Sequence, residues 1–207
     1  MSIWVKYREE MTHVKNHLKE TAPHGDESFF PYSDPAYKWE HTLMVLNNGL
    51  MLAKQEKARA DVIALSAIFH DVCYYSASYK DHGHEGAKHA MEYLRKKNYP
   101  NDLIADVSYA IDVHVGEMNP KTIEAKIIQD ADTLDKVGAI GVALILLNAG
   151  AQKLLFLEAI QKFKSDYMKK LDFMVSSIWT DTARQIMSER TNFLTNYFRQ
   201  LENELTS

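Results

Sequence analysis

Asp61-Val-Ile-Ala-Leu-Ser-Ala-Ile-Phe-His70-Asp71-Val72 is the stretch on which the reading of this chain turns. Val62, Leu65, Ile68 and Phe69 recur at helical spacing behind Asp61, a residue suited to a helix start, so the run predicts a largely buried helix. That helix closes on an imidazole and a carboxylate. Such groups are costly among core residues unless they are paired or hold a metal. Two more pieces give them company: His41 in the stretch before, and Asp132 within Gln129-Asp130-Ala-Asp132-Thr-Leu-Asp135. Together they have the order and character of one divalent-metal site.

Outward from this run the pattern is helical nearly throughout, with 8 Gly and 5 Pro and few alternating β-branched stretches. The expectation is an all-α bundle forming one domain over residues 1–207. A first helix is expected over Ile3 to Glu20, then an irregular loop through Pro23, Gly25, Pro31, Ser33, Asp34 and Pro35, then a helix carrying His41 to about Gln55. After His70-Asp71 a polar loop runs from Tyr74 to Gly83. Helices follow over about Glu85 to Lys97 and from Asp102 through Ile104, Val107, Ile111 and Val115, which sets His114 beside an apolar stripe. Ile123 to Lys136, Gly138 to Leu147, Gln152 to Met174 and Asp181 to Leu205 complete the set. Ile186, Phe193, Leu194, Tyr197, Phe198 and Leu201 are expected to pack the last helix back on the bundle.

Size and composition narrow the function classes. A chain of 207 residues with 46% hydrophobic and 25% charged residues suffices for one globular core. A net charge of -4 argues against binding a nucleic-acid polymer, but leaves a nucleotide-sized substrate open. Cys73 is the single cysteine and has no intramolecular disulfide partner, and the charged start lacks the apolar core of a signal peptide, so a cytoplasmic protein is expected. The longest apolar stretch, Ala139 to Leu147, is about half of the roughly 20 residues that cross a bilayer, so no membrane span is expected and the stretch reads as a core helix.

A divalent ion that activates water is held by neutral imidazole nitrogens and carboxylate oxygens with positions left open. His41, His70, Asp71 and Asp132 meet that need. Adjacent residues on a helix point roughly 100° apart, so His70 and Asp71 share an ion only if it lies between their directions near the helix end.

These residues resemble the HD superfamily of metal-dependent phosphohydrolases, whose pattern is a His, a His-Asp pair and a distant Asp. The similarity extends to His82-Gly-His84-Glu85-Gly-Ala87, to Ile111-Asp-Val-His114, to Asp130-Ala-Asp-Thr-Leu-Asp135 with Gly138-Ala-Ile-Gly141, and to Lys170-Leu171, Thr180 to Arg184 and Glu189-Arg190. It covers roughly residues 36 to 205 and looks most like the bacterial single-domain HD hydrolases that include nucleotide pyrophosphohydrolases. Met44 stands where the family often has Arg. Lys38, Trp39 and Glu40 stand where it has Asp, and Val142 to Leu147 is wholly apolar where a further Arg is common.

The resemblance implies that His41, His70, Asp71 and Asp132 hold Mn, Mg, Fe, Co, Ni or Zn as a divalent ion. It implies a phosphorylated small-molecule substrate, a nucleotide foremost, with water as nucleophile. Glu85 or Asp71 is expected to position or deprotonate that water, His82 and His114 to meet the leaving group or a second ion, and Lys136 and Lys170 to contact phosphate. The missing arginines keep open a hydrolase or lyase acting on a non-phosphorylated molecule, and a binding protein with a structural metal is a third reading. Asp130 and Asp135 are expected to be supporting or helix-surface charges. His84 is expected in a solvated loop and Trp39 in packing, with a lid over the site as its second reading. His13 and His17 have the i, i+4 spacing of a ligand pair but lie among lysines, which predicts an exposed face. The methionine-rich helices leave a homodimer open.

Overall fold

The computed structural model describes residues 2–23, 31–115 and 119–206, and the backbone alone of 164–166. Among them the chain forms α-helices and no strand: α1 (Ile3–Lys6), α2 (Arg8–Thr21), α3 (Pro35–Glu56), α4 (Ala60–Phe69), α5 (His82–Lys96), α6 (Asn101–Asp112), α7 (Ile123–Leu134), α8 (Ala139–Ala151), α9 (Phe156–Ser176) and α10 (Asp181–Thr206). This is the all-α bundle expected from the sequence.

The apolar run becomes the central helix. Every side chain of α4 from Val62 to Phe69 is buried, and α2, α3, α5, α6 and α7 pack around it. A helix without a polar face is stable only when surrounded. The carboxylate of Asp61 sits in its first turn, at the positive end of the helix dipole, and accepts from Val62 N at 2.9 Å. α3 starts within the expected loop, with Asp34 as its cap, accepting from Ala36 N at 2.7 Å, and Pro35 in the first turn. Thr122 caps α7 in the same way, accepting from Ala125 N at 3.2 Å.

Several expectations are corrected. The first helix breaks at Tyr7, whose buried ring leaves helical geometry between α1 and α2. Helix α5 begins at His82, so Gly83 and Glu85 lie in its first turn and not in or just after a loop. α9 starts at Phe156 because Lys153 takes a left-handed backbone (φ 56°) after α8. The apolar stretch in α8 is not a core helix: Val142 and Leu144 are buried, whereas Leu146 and Leu147 are exposed. Phe193 likewise points outward from α10, whose buried residues are Ala183, Met187, Leu194 and Phe198. Pro23 and the turn at 31–33 frame the expected irregular loop, and Gly25 lies outside the described residues. Among the described residues no single helix is long and apolar enough to cross a membrane.

Asp130 is not a surface charge. It is fully buried, and its carboxylate accepts from Trp179 N at 2.8 Å, Thr180 N at 2.8 Å and Thr180 Oγ1 at 2.7 Å, so it ties α7 to the start of α10. Burial pushes its pKa up against those hydrogen bonds. Asp130→Ala leaves these donors without an acceptor and is expected to cost about 1–3 kcal/mol of stability. Asp130→Asn, which keeps an acceptor oxygen, is expected to cost less. Thermal unfolding followed by helical circular dichroism checks both, and equal melting temperatures for all three proteins contradict the tie.

Candidate metal centre

Helix ends build the site. His70 follows the last turn of α4, His114 lies just past the end of α6, and Asp132 and Asp135 stand at the end of α7, while His82 opens α5 and His41 projects from the middle of α3. The last carbonyls of a helix have no N–H partner within it. His70 Nδ1 donates to Ala67 O at 2.8 Å and His114 Nδ1 to Ile111 O at 2.6 Å, and His82 Nδ1 donates to Tyr79 O in the turn before α5 at 2.7 Å. Each ring is thus braced by the carbonyl three residues back. His41 Nδ1 is held instead by Asp135 Oδ2 at 2.7 Å. Acceptors of this kind fix the proton on Nδ1 and leave the Nε2 lone pair facing the site.

All four Nε2 atoms converge on Asp71. Its Oδ2 lies 3.4 Å from His41 Nε2 and 3.3 Å from His70 Nε2, and its Oδ1 lies 3.1 Å from His82 Nε2 and 3.7 Å from His114 Nε2. His41 Nε2 is also 3.2 Å from Asp132 Oδ1 and 3.1 Å from His70 Nε2. The carboxylate is nearly inaccessible, at 4% exposure, and each of the four rings is 6% exposed or less. Two lysines supply positive charge: Lys38 Nζ donates to Asp71 Oδ2 while lying 3.6 Å from the centre of the Tyr74 ring, and Lys136 Nζ is 2.7 Å from Asp132 Oδ2.

Burial acts to raise the pKa of Asp71 and of Asp132, but the cations and imidazoles around them outweigh it and hold both well below the usual carboxylate range. Burial and Lys38 act to lower His41, and hydrogen bonds to Asp132, Asp135 and Asp71 overcome them, lifting it to about 9. Burial is the main cause that lowers His70. Lys136 is lowered by burial and raised more strongly by Asp132 and Asp71, so it ends above the ordinary lysine value.

This donor set fits a divalent ion. His41 and His70 meet Nε2 to Nε2 at 3.1 Å beside carboxylate oxygens, a contact that a proton on His41 satisfies and that a divalent cation between the two nitrogens would satisfy in its place. The negative ends of the α4, α6 and α7 dipoles converge on the same place and favour one. The ligands fall into two groups, His41 with His70 and Asp132, and Asp71 with His82 and His114, each with its ligand atoms within 4.8 Å of one another. Metal–nitrogen and metal–oxygen bonds of about 2.0–2.2 Å span such groups with small side-chain adjustments. Asp71, with one oxygen toward each group, has the form of a bridge.

The expected residues divide accordingly. His41, His70, Asp71, Asp132, His82 and His114 come together, with Lys136 at their edge. Glu85 instead pairs with Lys88 at 2.9 Å on the surface of α5, and His84 pairs with Asp112 at 2.8 Å in an exposed position. Lys170 is exposed on α9, and among the described residues no hydrogen bond or ion pair joins it to the cluster. Trp39 packs against the core toward α2, with Lys15 Nζ 5.8 Å from its ring. The aromatic neighbours are tyrosines: Tyr37 lies against His41 at 6.4 Å, with Tyr32 behind it at 5.4 Å, and Tyr74 lies against His82 at 5.6 Å.

Two participants escape the ligand pattern. Lys38 stands three residues before His41 on α3, a spacing that shares one helix face, and that spacing is the signal that marks it. Asp135 as the partner of His41 has no local signal, because the two meet only when α3 packs on α7. The turn after α7 is kept tight by Gly141, where a β-carbon would lie 2.6 Å from Lys136 O and 2.7 Å from the Tyr167 hydroxyl. Tyr167 donates to that carbonyl at 2.6 Å. Close approach at Gly83, whose β-carbon would meet Val115 Cγ2 at 3.0 Å and Ile111 O at 3.2 Å, seats the start of α5 on the end of α6. The rings of His82 and His114 stand 5.2 Å apart there.

Comparison with known proteins agrees with this geometry. The HD domain family model matches residues 39–137. Bacillus subtilis YpgQ, an uncharacterized protein, is 24% identical, over 86% of this chain and 89% of its own. A protein described as a predicted HD superfamily hydrolase, from an uncultured Thermotogales bacterium, superposes with a TM-score of 0.64 at 26% identity, covering 94% of this chain and 92% of that one. An HD-superfamily hydrolase of Bacillus thuringiensis shares the fold over the whole of both chains, with a TM-score of 0.72 at 23% identity. YpgQ in complex with ADP shares it with a TM-score of 0.65 at 23% identity, covering 95% of each chain.

Asp135 touches no other group of the cluster through its second oxygen, which is buried and without a hydrogen-bond partner among the described residues. Its contribution is therefore the orientation of His41. Asp135→Ala is expected to weaken divalent-metal affinity by about 10–100-fold, with Asp135→Asn less damaging. Calorimetric titration of the metal-stripped protein with Mn²⁺ measures this, and an unchanged affinity in both variants contradicts the assignment.

Proposed function

Because residues 39–137 of this chain are an HD domain, we propose that the protein is a divalent-metal-dependent phosphohydrolase that cleaves a phosphate ester or anhydride of a small molecule, a nucleotide foremost. The observation that carries this reading is the convergence of four Nε2 atoms on the two oxygens of a buried Asp71, with Asp132 beside them. His41, His70, Asp71 and Asp132 would hold the ion, while His82 and His114 would either meet the leaving group or hold a second ion. An ion held there lowers the pKa of water toward neutrality and offsets charge on a phosphoryl oxygen.

The chain's own groups supply the rest. Glu85 is engaged with Lys88, so with a single ion held on Oδ2 the free Oδ1 of Asp71 is the carboxylate oxygen to position the water and accept its proton. His82 and His114 face the opposite oxygen of Asp71 from His41 and His70 and are placed to meet a leaving group. Met44 and the apolar start of α8 remove the arginines that the family pattern puts near phosphate. Lys136 and Lys38 replace that charge, each already beside a site carboxylate. The tyrosines around the cluster give a nucleoside base flat surfaces, and the binding of ADP by YpgQ supports the same substrate class. A second reading, a hydrolase acting on a non-phosphorylated molecule, draws its support from the same missing arginines.

Turnover of nucleoside mono-, di- and triphosphates with Mn²⁺, Mg²⁺ or Co²⁺ is expected, and a metal-loaded protein inert on that panel favours the second reading. Asp71→Ala is expected to abolish both metal retention and hydrolysis, and full metal content by elemental analysis in that variant overturns the ligand assignment. Lys136→Gln is expected to lower kcat/KM by about tenfold or more, the loss of one charge-assisted hydrogen bond, while metal content is kept. Equal kcat/KM for the two proteins removes Lys136 from phosphate binding.

A further inference from the structure

Away from this centre a second set of nitrogen and sulfur donors lies where α2, α5 and the turn after α4 meet. His17 on α2, Cys73 in that turn and His89 on α5 bring their ligand atoms within 4.8 Å of one another. His13, one turn before His17, joins them: its Nε2 is 2.7 Å from His89 Nε2. The His89 ring stands 4.6 Å from that of His17 and 5.0 Å from that of His13. The lysine-rich surroundings of α2 predict an exposed face, but both of its histidines are half-buried, and the cysteine is buried. Helix α2 turns this face inward onto Phe69 and Tyr93, with His13 6.2 Å and 4.3 Å from their rings.

One observation marks the cluster as more than a stack of rings. His17 Nε2 is buried and has no hydrogen-bond partner among the described residues, a state that costs free energy unless something binds there. His89 is held down at about 4 by burial and by its histidine neighbours, so its ring is neutral near pH 7 and its lone pair is available.

We infer that His17, Cys73 and His89, with His13 as fourth donor, form a transition-metal site of the zinc type, separate from the HD centre. Three imidazoles and a thiolate are the donors that select Zn²⁺ or Co²⁺ over Mg²⁺ and Ca²⁺, which prefer oxygen. Binding exchanges the hydrogen bond between His13 and His89 for bonds to the ion: the donor ring passes its proton from Nε2 through solvent to Nδ1, which frees the Nε2 lone pair, and Cys73 releases its thiol proton to solvent. The ion would join α2 and α5 to the turn two residues beyond Asp71, and so fix the segment that carries His70-Asp71 from behind.

The sulfur gives this site its own signature, since the HD centre has only nitrogen and oxygen ligands and Cys73 is the single cysteine. Titration of the metal-stripped full chain with Co²⁺ is expected to produce a near-ultraviolet thiolate-to-cobalt charge-transfer band and intense visible bands of a tetrahedral site, both bleached by added Zn²⁺. Cys73→Ser is expected to lose the charge-transfer band while the HD centre still takes up metal. His17→Gln and His89→Gln are expected to weaken the band-forming affinity by about 100-fold or more, beyond the loss typical of removing a supporting partner. Helical circular dichroism verifies that each variant is folded. The wild-type protein decides the matter by itself: no charge-transfer band at saturating Co²⁺ overturns the site. A band of undiminished affinity in both histidine variants overturns the ligand set. Failure of the phosphohydrolase reading leaves both outcomes unaffected.

Discussion

A carboxylate in the interior must be compensated, and Asp71, at 4% exposure, is the constraint around which this protein is organised. An isolated buried charge is prohibitively costly, so the fold surrounds this one with four imidazoles and an ammonium. These five groups are brought by four parts of the chain: α3 brings Lys38 and His41, the end of α4 brings His70, the start of α5 brings His82 and the end of α6 brings His114. The packing of helices around α4 is therefore also the assembly of the cluster. Removing Asp71 leaves a concentration of imidazoles with nothing to converge on, and removing the packing leaves Asp71 without partners.

The same concentration of lone pairs explains why a cation belongs there. The nitrogen acceptors outnumber the protons available to them once each Nδ1 is engaged, and the mutual approach of His41 and His70 at 3.1 Å is relieved by a proton or a metal ion. The rise of His41 to about 9 expresses that demand. Lys38 meets part of it on Asp71 Oδ2. Lys136 places a second ammonium on Asp132, so both site carboxylates carry a lysine partner.

The ligand order and most helices were legible in the sequence because they depend on local rules. The spacing of Val62, Leu65, Ile68 and Phe69 identifies α4, and His41, His70-Asp71 and Asp132 are recognisable as ligand types. What stayed hidden depends on packing between distant elements. Nothing near Asp135 in the chain indicates His41, and nothing near Asp130 indicates Trp179 and Thr180. Composition also misled where local hydropathy and burial part company: Leu146 and Leu147 look like core yet face outward, and lysines beside His13 and His17 suggest solvent although α2 turns those rings inward. The loop expected before Glu85 became helix because Gly83 lets α5 begin against α6.

The bracing of three rings by carbonyls three residues back has a wider consequence. Since His70, His82 and His114 each take their orientation from their own turn, ligand aim is a local property that travels with a short peptide segment. Insertions or deletions in the connections between these helices can therefore accumulate without detuning the centre, provided the helix axes keep their places. The architecture separates what evolution must hold fixed, a few residues at helix termini, from what it is free to lengthen, trim and diversify around them.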